Sequence, residues 1–144
     1  MGIIIMKKNK TIAAIIFVII IFCVFFLTFQ GPKDTIALST KFHEWFTRFG
    51  YKGDLIQFRS DIHFIEYFIV GLSIAYFFQT IEKNIWLGAL ISCCIGIIDE
   101  TVKIFLPTRE WGSVDLVKDF LGVLLATLII FFMNIIFNYK KVSK

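Results

Sequence analysis

Residues 11–29 read TIAAIIFVIIIFCVFFLTF, an unbroken run without a charge. At a rise of about 1.5 Å per residue, a helix of this length covers most of the roughly 30 Å hydrocarbon core of a bilayer. Lys7, Lys8 and Lys10 precede it, as basic residues precede a secretory signal. The apolar run exceeds the ~7–15 residues of a signal core, however, and Gln30-Gly31-Pro32 offers no small-x-small cleavage site. We expect an uncleaved anchor. The remainder of the chain agrees with that reading: of 144 residues, 58% are hydrophobic, 18 are phenylalanine, and the mean hydropathy is +0.80. Soluble domains run at about 45–50% apolar even with glycine counted, and so short a chain has little interior in which to hide the excess. A water-soluble enzyme, a disordered tail and a disulfide scaffold are excluded.

Outward from this run, the pattern predicts an all-α membrane four-helix bundle. Residues 1–10 form a basic N-terminus, 11–29 the first span, 30–61 an outer loop, and 62–138 a core with spans at about 62–80, 85–106 and 114–138. Residues 139–144 form a basic tail. In the outer loop Leu38, Phe42, Trp45, Phe46 and Phe49 recur at spacings of three and four, which predicts a short amphipathic helix lying at the interface. His43 falls on its polar face. Gly50 to Asp54 reads as a turn, and Ser113 as the N-cap of the last span. Cys23, Cys93 and Cys94 lie in apolar runs without metal or redox spacing and are expected to pack as small hydrophobes. The net charge of +4 is concentrated at the two ends, in Lys7, Lys8, Lys10, Lys140, Lys141 and Lys144. That placement fits cytoplasmic termini on anionic lipid, not nucleic acid.

Three of the spans carry ionisable residues. The second opens with His63, Glu66 and Tyr67, the third contains Asp99, Glu100 and Lys103, and the fourth begins with Asp115, Lys118 and Asp119. Counting inward from the outer edges puts Asp99 about 10 Å, Asp119 about 7–8 Å and Glu66 about 6 Å deep, one common layer. His63, Glu66, Tyr67 and Gly71 share a helical face. Gly88, Ser92 and Gly96 form a small-residue stripe on the third span, as Gly122 and Ala126 do on the fourth, and such stripes mark helix–helix contacts. The charges therefore point into the bundle. Lys103 reaches Asp99 at i, i+4 and Lys118 reaches Asp115 at i, i+3 as structural ion pairs, which leaves Glu66, Glu100 and Asp119 to share His63 and Arg109. Acids outnumber bases, so some carboxylates hold protons or a cation supplies the difference.

Several uses of this layer stay open. It serves as an ion-pair lattice that fixes packing, as a site for a lipid headgroup or other ligand at the outer leaflet, or as a membrane enzyme with Glu100 or Asp99 as general base. His63-x-x-Glu66 with acids on other helices is one way to cage a divalent ion, but the spans carry a single His and no second copy of the motif. No metal or cofactor is therefore expected. Arg109 either pairs with Glu110 or forks onto a phosphate or carboxylate, and Trp111 anchors the tip at the interface.

Asp61-x-His63-Phe64-x-Glu66-Tyr67, Asp99-Glu100-x-x-Lys103-x-Phe105-x-Pro107-x-Arg109 and Asp115-x-x-x-Asp119-x-x-Gly122 together resemble the VanZ-like family of small bacterial membrane proteins. The resemblance covers about Ser60 to Ala126. Lys103 stands where that family usually has Gln, and Thr108 where Gly commonly precedes the Arg. The resemblance implies a cell-envelope role in Gram-positive bacteria linked to glycopeptide resistance, chiefly against teicoplanin. The polar layer itself is expected to form an outward-facing site whose working residues are Glu66, Asp99, Glu100, Arg109, Asp115 and Asp119, with His63 and Tyr67 orienting them. Its partners would be membrane lipids and a headgroup, cell-wall precursor or lipoglycopeptide. Lys103, by pairing internally, would reduce the need for an external cation.

Overall fold

The structure is a computed structural model and describes residues 9–106 and 112–142, apart from the side chains of 32 and 137–142. It comprises five helices: α1 (Lys10–Thr28), α2 (Pro32–Arg48), α3 (Leu55–Thr80), α4 (Ile85–Ile104) and α5 (Ser113–Val142). There is no strand among the described residues. All but α2 are long and apolar enough to cross a membrane. The chain is a multi-pass membrane protein.

Local chemistry sets the ends of these helices. Asn9 caps α1 by accepting from the backbone N–H groups of Thr11 and Ile12. Pro32 opens α2, where its missing N–H is no loss, and α2 ends before Gly50, whose φ of 97° suits glycine. Asp54 accepts from Gln57 N at 2.8 Å, so α3 starts at Leu55, a full two turns before the predicted Ile62. Asn84 caps α4, accepting from Trp86 N at 3.0 Å. Ser113, predicted as an N-cap, is the first residue of α5.

Helix α3 is the hub and packs on each of the other four, most extensively on α5. The core along it holds Tyr67, Val70 and Ile74 with Val24 of α1 and Val123 of α5. The predicted small-residue stripes are the contact lines. A Cβ on Gly71 would meet Ala126 and the Val123 backbone, one on Gly88 would meet Ile74 and Phe78, and one on Gly122 would strike the backbone of Phe64, Tyr67 and Phe68. Close approach at these points is how membrane helices gain dispersion energy, since lipid tails are as apolar as the side chains. Toward the other end of the bundle Gln79 bonds Asn134 across α3 and α5.

Helix α1 is attached more lightly. It buries Ala13, Val24 and Thr28 and stacks Phe17 on Phe77 with ring centroids 5.4 Å apart. Ile12, Ile15, Val18, Ile19, Phe22 and Phe26 stay exposed and meet lipid. The cysteines only partly follow expectation. Cys93 packs against the core, but Cys23 and Cys94 are exposed on the lipid-facing surface, and all three are free. A thiol is apolar enough to face hydrocarbon as readily as protein.

The segment before α3 folds back onto it. His43, expected merely to face water, has Nε2 2.8 Å from Gly53 O and sits edge-on to Tyr51 and Phe58. Tyr51 donates to Asp61 at 2.8 Å; burial and the adjacent carboxylate push its phenol up to about 12.

Candidate functional site

The C-terminal ends of α1 and α4 meet the N-terminal ends of α3 and α5, so the predicted polar layer assembles at one end of the bundle. Asp99, Glu100, Lys103 and Asp119 are all buried, whereas His63 and Glu66 are part-buried beside them. This clustering follows from helical spacing. On α4, Gly96, Asp99, Glu100 and Lys103 continue the face that Gly88 and Ser92 turn toward α3.

Lys103 is the hub of one half. Its Nζ donates to Glu100 Oε1, lies 3.2 Å from Asp99 Oδ2, and lies 3.2 Å from His63 Nε2 on α3. An ammonium has three donors and no acceptor, so these three contacts saturate it. The other oxygens of its acidic partners are occupied as well. Asp99 Oδ1 accepts from the Thr28 hydroxyl of α1, and Glu100 Oε2 accepts from Gly112 N at 3.3 Å. Thr28 was not singled out in the sequence, where a threonine in an apolar helix carries no signal of its own. Its hydroxyl also lies 2.9 Å from Val24 O, the usual local contact.

Because Lys103 can only donate, His63 Nε2 must accept, and in a neutral imidazole the proton then resides on Nδ1. That nitrogen faces Asp119 Oδ1 at 3.6 Å and Glu66 Oε2 at 4.0 Å. Asp119 is wholly buried, and among the described residues neither of its carboxylate oxygens has a hydrogen-bond partner. The same holds for the hydroxyl of buried Tyr67. Tyr67 and Asp119 both border Gly96: a Cβ there would lie 3.1 Å from the tyrosine ring and 3.6 Å from Asp119 Cβ. One imidazole nitrogen of His63, one oxygen of Glu100 and one of Asp119 lie within 4.8 Å of one another.

Asp115 and Lys118 stand apart from this centre. Lys118 does not pair with Asp115 along its own helix; it crosses to α3, with Nζ 2.7 Å from Asp61 Oδ1 and 2.9 Å from Ser60 Oγ. Asp115 instead accepts from Ser60 at 2.5 Å. The longer α3 explains the difference, because its added turns carry Ser60 and Asp61 alongside the start of α5. Arg109, with Glu110 and Trp111, lies outside the described residues. The Lys118–Asp61 pair is 26% and 39% exposed, so water and ions screen it. Lys118→Met is expected to lower stability by less than about 1 kcal/mol in detergent unfolding, with the loss shrinking as salt rises.

Comparison with protein-family models, with curated proteins and with solved structures gives no match. The chemistry of the site therefore rests on its own geometry.

Proposed function

We propose that this chain is a VanZ-like protein of the bacterial cytoplasmic membrane, with both termini cytoplasmic, and that it lowers susceptibility to the lipid-tailed glycopeptide teicoplanin. In this reading the polar end of the bundle faces outward and engages a headgroup, cell-wall precursor or lipoglycopeptide at the outer leaflet. The observation that carries it is convergence. His63, Tyr67, Asp99, Glu100 and Asp119, each part of the VanZ-like pattern, come from three separate helices and meet in one cluster, buried except for His63 at its edge. Ionisable groups held inside membrane helices are costly and mark function by default. Gly122, also in that pattern, packs directly against the α3 backbone at Phe64, Tyr67 and Phe68. An enzymatic reading with Asp99 or Glu100 as general base draws no support from the geometry, because Lys103, Thr28 and Gly112 hold their oxygens.

The test is the ratio of teicoplanin to vancomycin susceptibility in a sensitive Gram-positive host, at equal membrane levels of wild type and Glu100→Gln. Wild type is expected to raise teicoplanin tolerance selectively, by more than the dilution step of the assay, and Glu100→Gln to abolish the rise. Asp99 retains Lys103 in that variant, so the fold persists. An unchanged ratio with wild type would refute the teicoplanin reading. An equal rise with both would remove Glu100 from the site.

A further inference from the structure

We propose that His63, Glu100 and Asp119 form a binding site for one divalent transition-metal ion of the zinc type, and that Lys103 restrains its affinity. The inference stands apart from the susceptibility reading and needs no antibiotic to test.

Three features of the cluster support it. The donors come from three helices, α3, α4 and α5, and their candidate ligand atoms already lie within 4.8 Å of one another. At metal–ligand distances of about 2.0–2.2 Å, tetrahedral ligand atoms sit roughly 3.5 Å apart, so closure requires side-chain torsions and no helix movement. Asp119 supplies the independent observation. It is wholly buried, its two oxygens lack hydrogen-bond partners among the described residues, and Oδ1 is turned toward His63 at 3.6 Å. A carboxylate in that condition is neutralised by a proton or by a cation, and an ion shared with His63 and Glu100 supplies the second route. The groups packed nearest it are His63 and Tyr67 from α3 and Gly96 and Glu100 from α4, with Glu66 beside the same His63 nitrogen. The nearby permanent positive charge, Lys103, acts on Asp119 only through space, being bonded to Glu100 and held at 3.2 Å from Asp99 and from His63.

The donor set selects the class of ion. One imidazole and two carboxylates suit zinc or cobalt, whereas calcium, magnesium and manganese prefer about six or more oxygens, more than this cluster supplies. The hydroxyl of Tyr67, buried in the same packing around Gly96, is available to hydrogen-bond a ligating carboxylate. Lys103 works against binding. Its ammonium bonds Glu100 and lies 3.2 Å from His63 Nε2, so it repels a divalent ion and competes for two of the three ligands. On metal binding it retains Asp99, at 3.2 Å.

The experiment uses full-length, tag-free protein in detergent or nanodiscs, titrated with Zn2+ by calorimetry and with Co2+ by visible absorption. Wild type is expected to bind one ion per chain with the intense cobalt bands of a low-coordinate site. Asp119→Asn and His63→Gln should each weaken binding roughly tenfold or more, while Lys118→Met, at the rim, should match wild type. Lys103→Gln should bind roughly tenfold more tightly and melt at a higher temperature when zinc is added. Absence of saturable binding in folded wild type and folded Lys103→Gln would overturn the proposal, as would equal affinity in Asp119→Asn. Should Lys103→Gln not fold, the comparison of wild type with Asp119→Asn decides alone.

Discussion

Replacing Lys103 by Met is expected to cost about 3–5 kcal/mol, a loss large enough to threaten folding outright. The side chain is 5% exposed and carries the positive charge that Asp99 and Glu100 share. With methionine in its place the volume is roughly kept, but two buried carboxylates lose their compensation and His63 Nε2 loses its donor. Breaking one partner out of a buried ion pair is far more damaging than removing the whole group. The triple variant Asp99→Asn, Glu100→Gln, Lys103→Met is therefore expected to recover most of the loss. Unfolding by SDS titration, followed by far-UV circular dichroism, measures each variant. If Lys103→Met cost no more than Lys118→Met, the burial of the ammonium would be without consequence.

Gly122→Ala is expected to cost about 3 kcal/mol, although the change adds one methyl group. That methyl would stand 2.5 Å from Phe64 O and 2.8 Å from Phe68 N. Both are backbone atoms of a helix interior, so no rotamer change gives relief and α3 must back away from α5. The retreat opens the contact that Tyr67, Val70 and Val123 share and parts His63 from Asp119. Gly88→Ala is the matched comparison. Its methyl would meet Ile74 Cγ2 at 3.1 Å and the Phe78 ring at 3.3 Å, side-chain atoms that can shift, and the helix gains from losing a glycine. A loss under about 1 kcal/mol is expected there. Equal losses at the two positions would mean that α3 and α5 are not in backbone contact.

Much of this was legible in the sequence, and the rest was hidden for identifiable reasons. Uninterrupted apolar runs define spans whatever surrounds them, so α1 and α4 fall close to their predicted limits. The start of α3 does not, because Arg59 and Asp61 resemble loop residues until Lys118 is seen to neutralise Asp61 from another helix. Lys103 shows the converse. Its partner Asp99 lies one turn away on the same helix, where spacing alone reveals it, whereas Glu100, which the spacing left to His63 and Arg109, also bonds Lys103. Its contact with His63 spans forty positions, and spacing says nothing of it. Thr28 escaped notice for the same reason.

The placement of Lys103 bears on the order in which the chain enters the bilayer. Helix α4 carries Asp99, Glu100 and Lys103 within little more than a turn, so it crosses the insertion machinery with one ammonium already beside its two carboxylates. Helix α5 brings Asp119 without a cation on the same face, because the adjacent Lys118 turns to Asp61 of α3. That carboxylate finds its imidazole only after α3 and α5 have closed on each other. The last helix is thus the one whose insertion depends on help from those already in place. Helix α1 enters ahead of α3, α4 and α5 and rests stably in lipid on its own, its Thr28 joining Asp99 once α4 has been made.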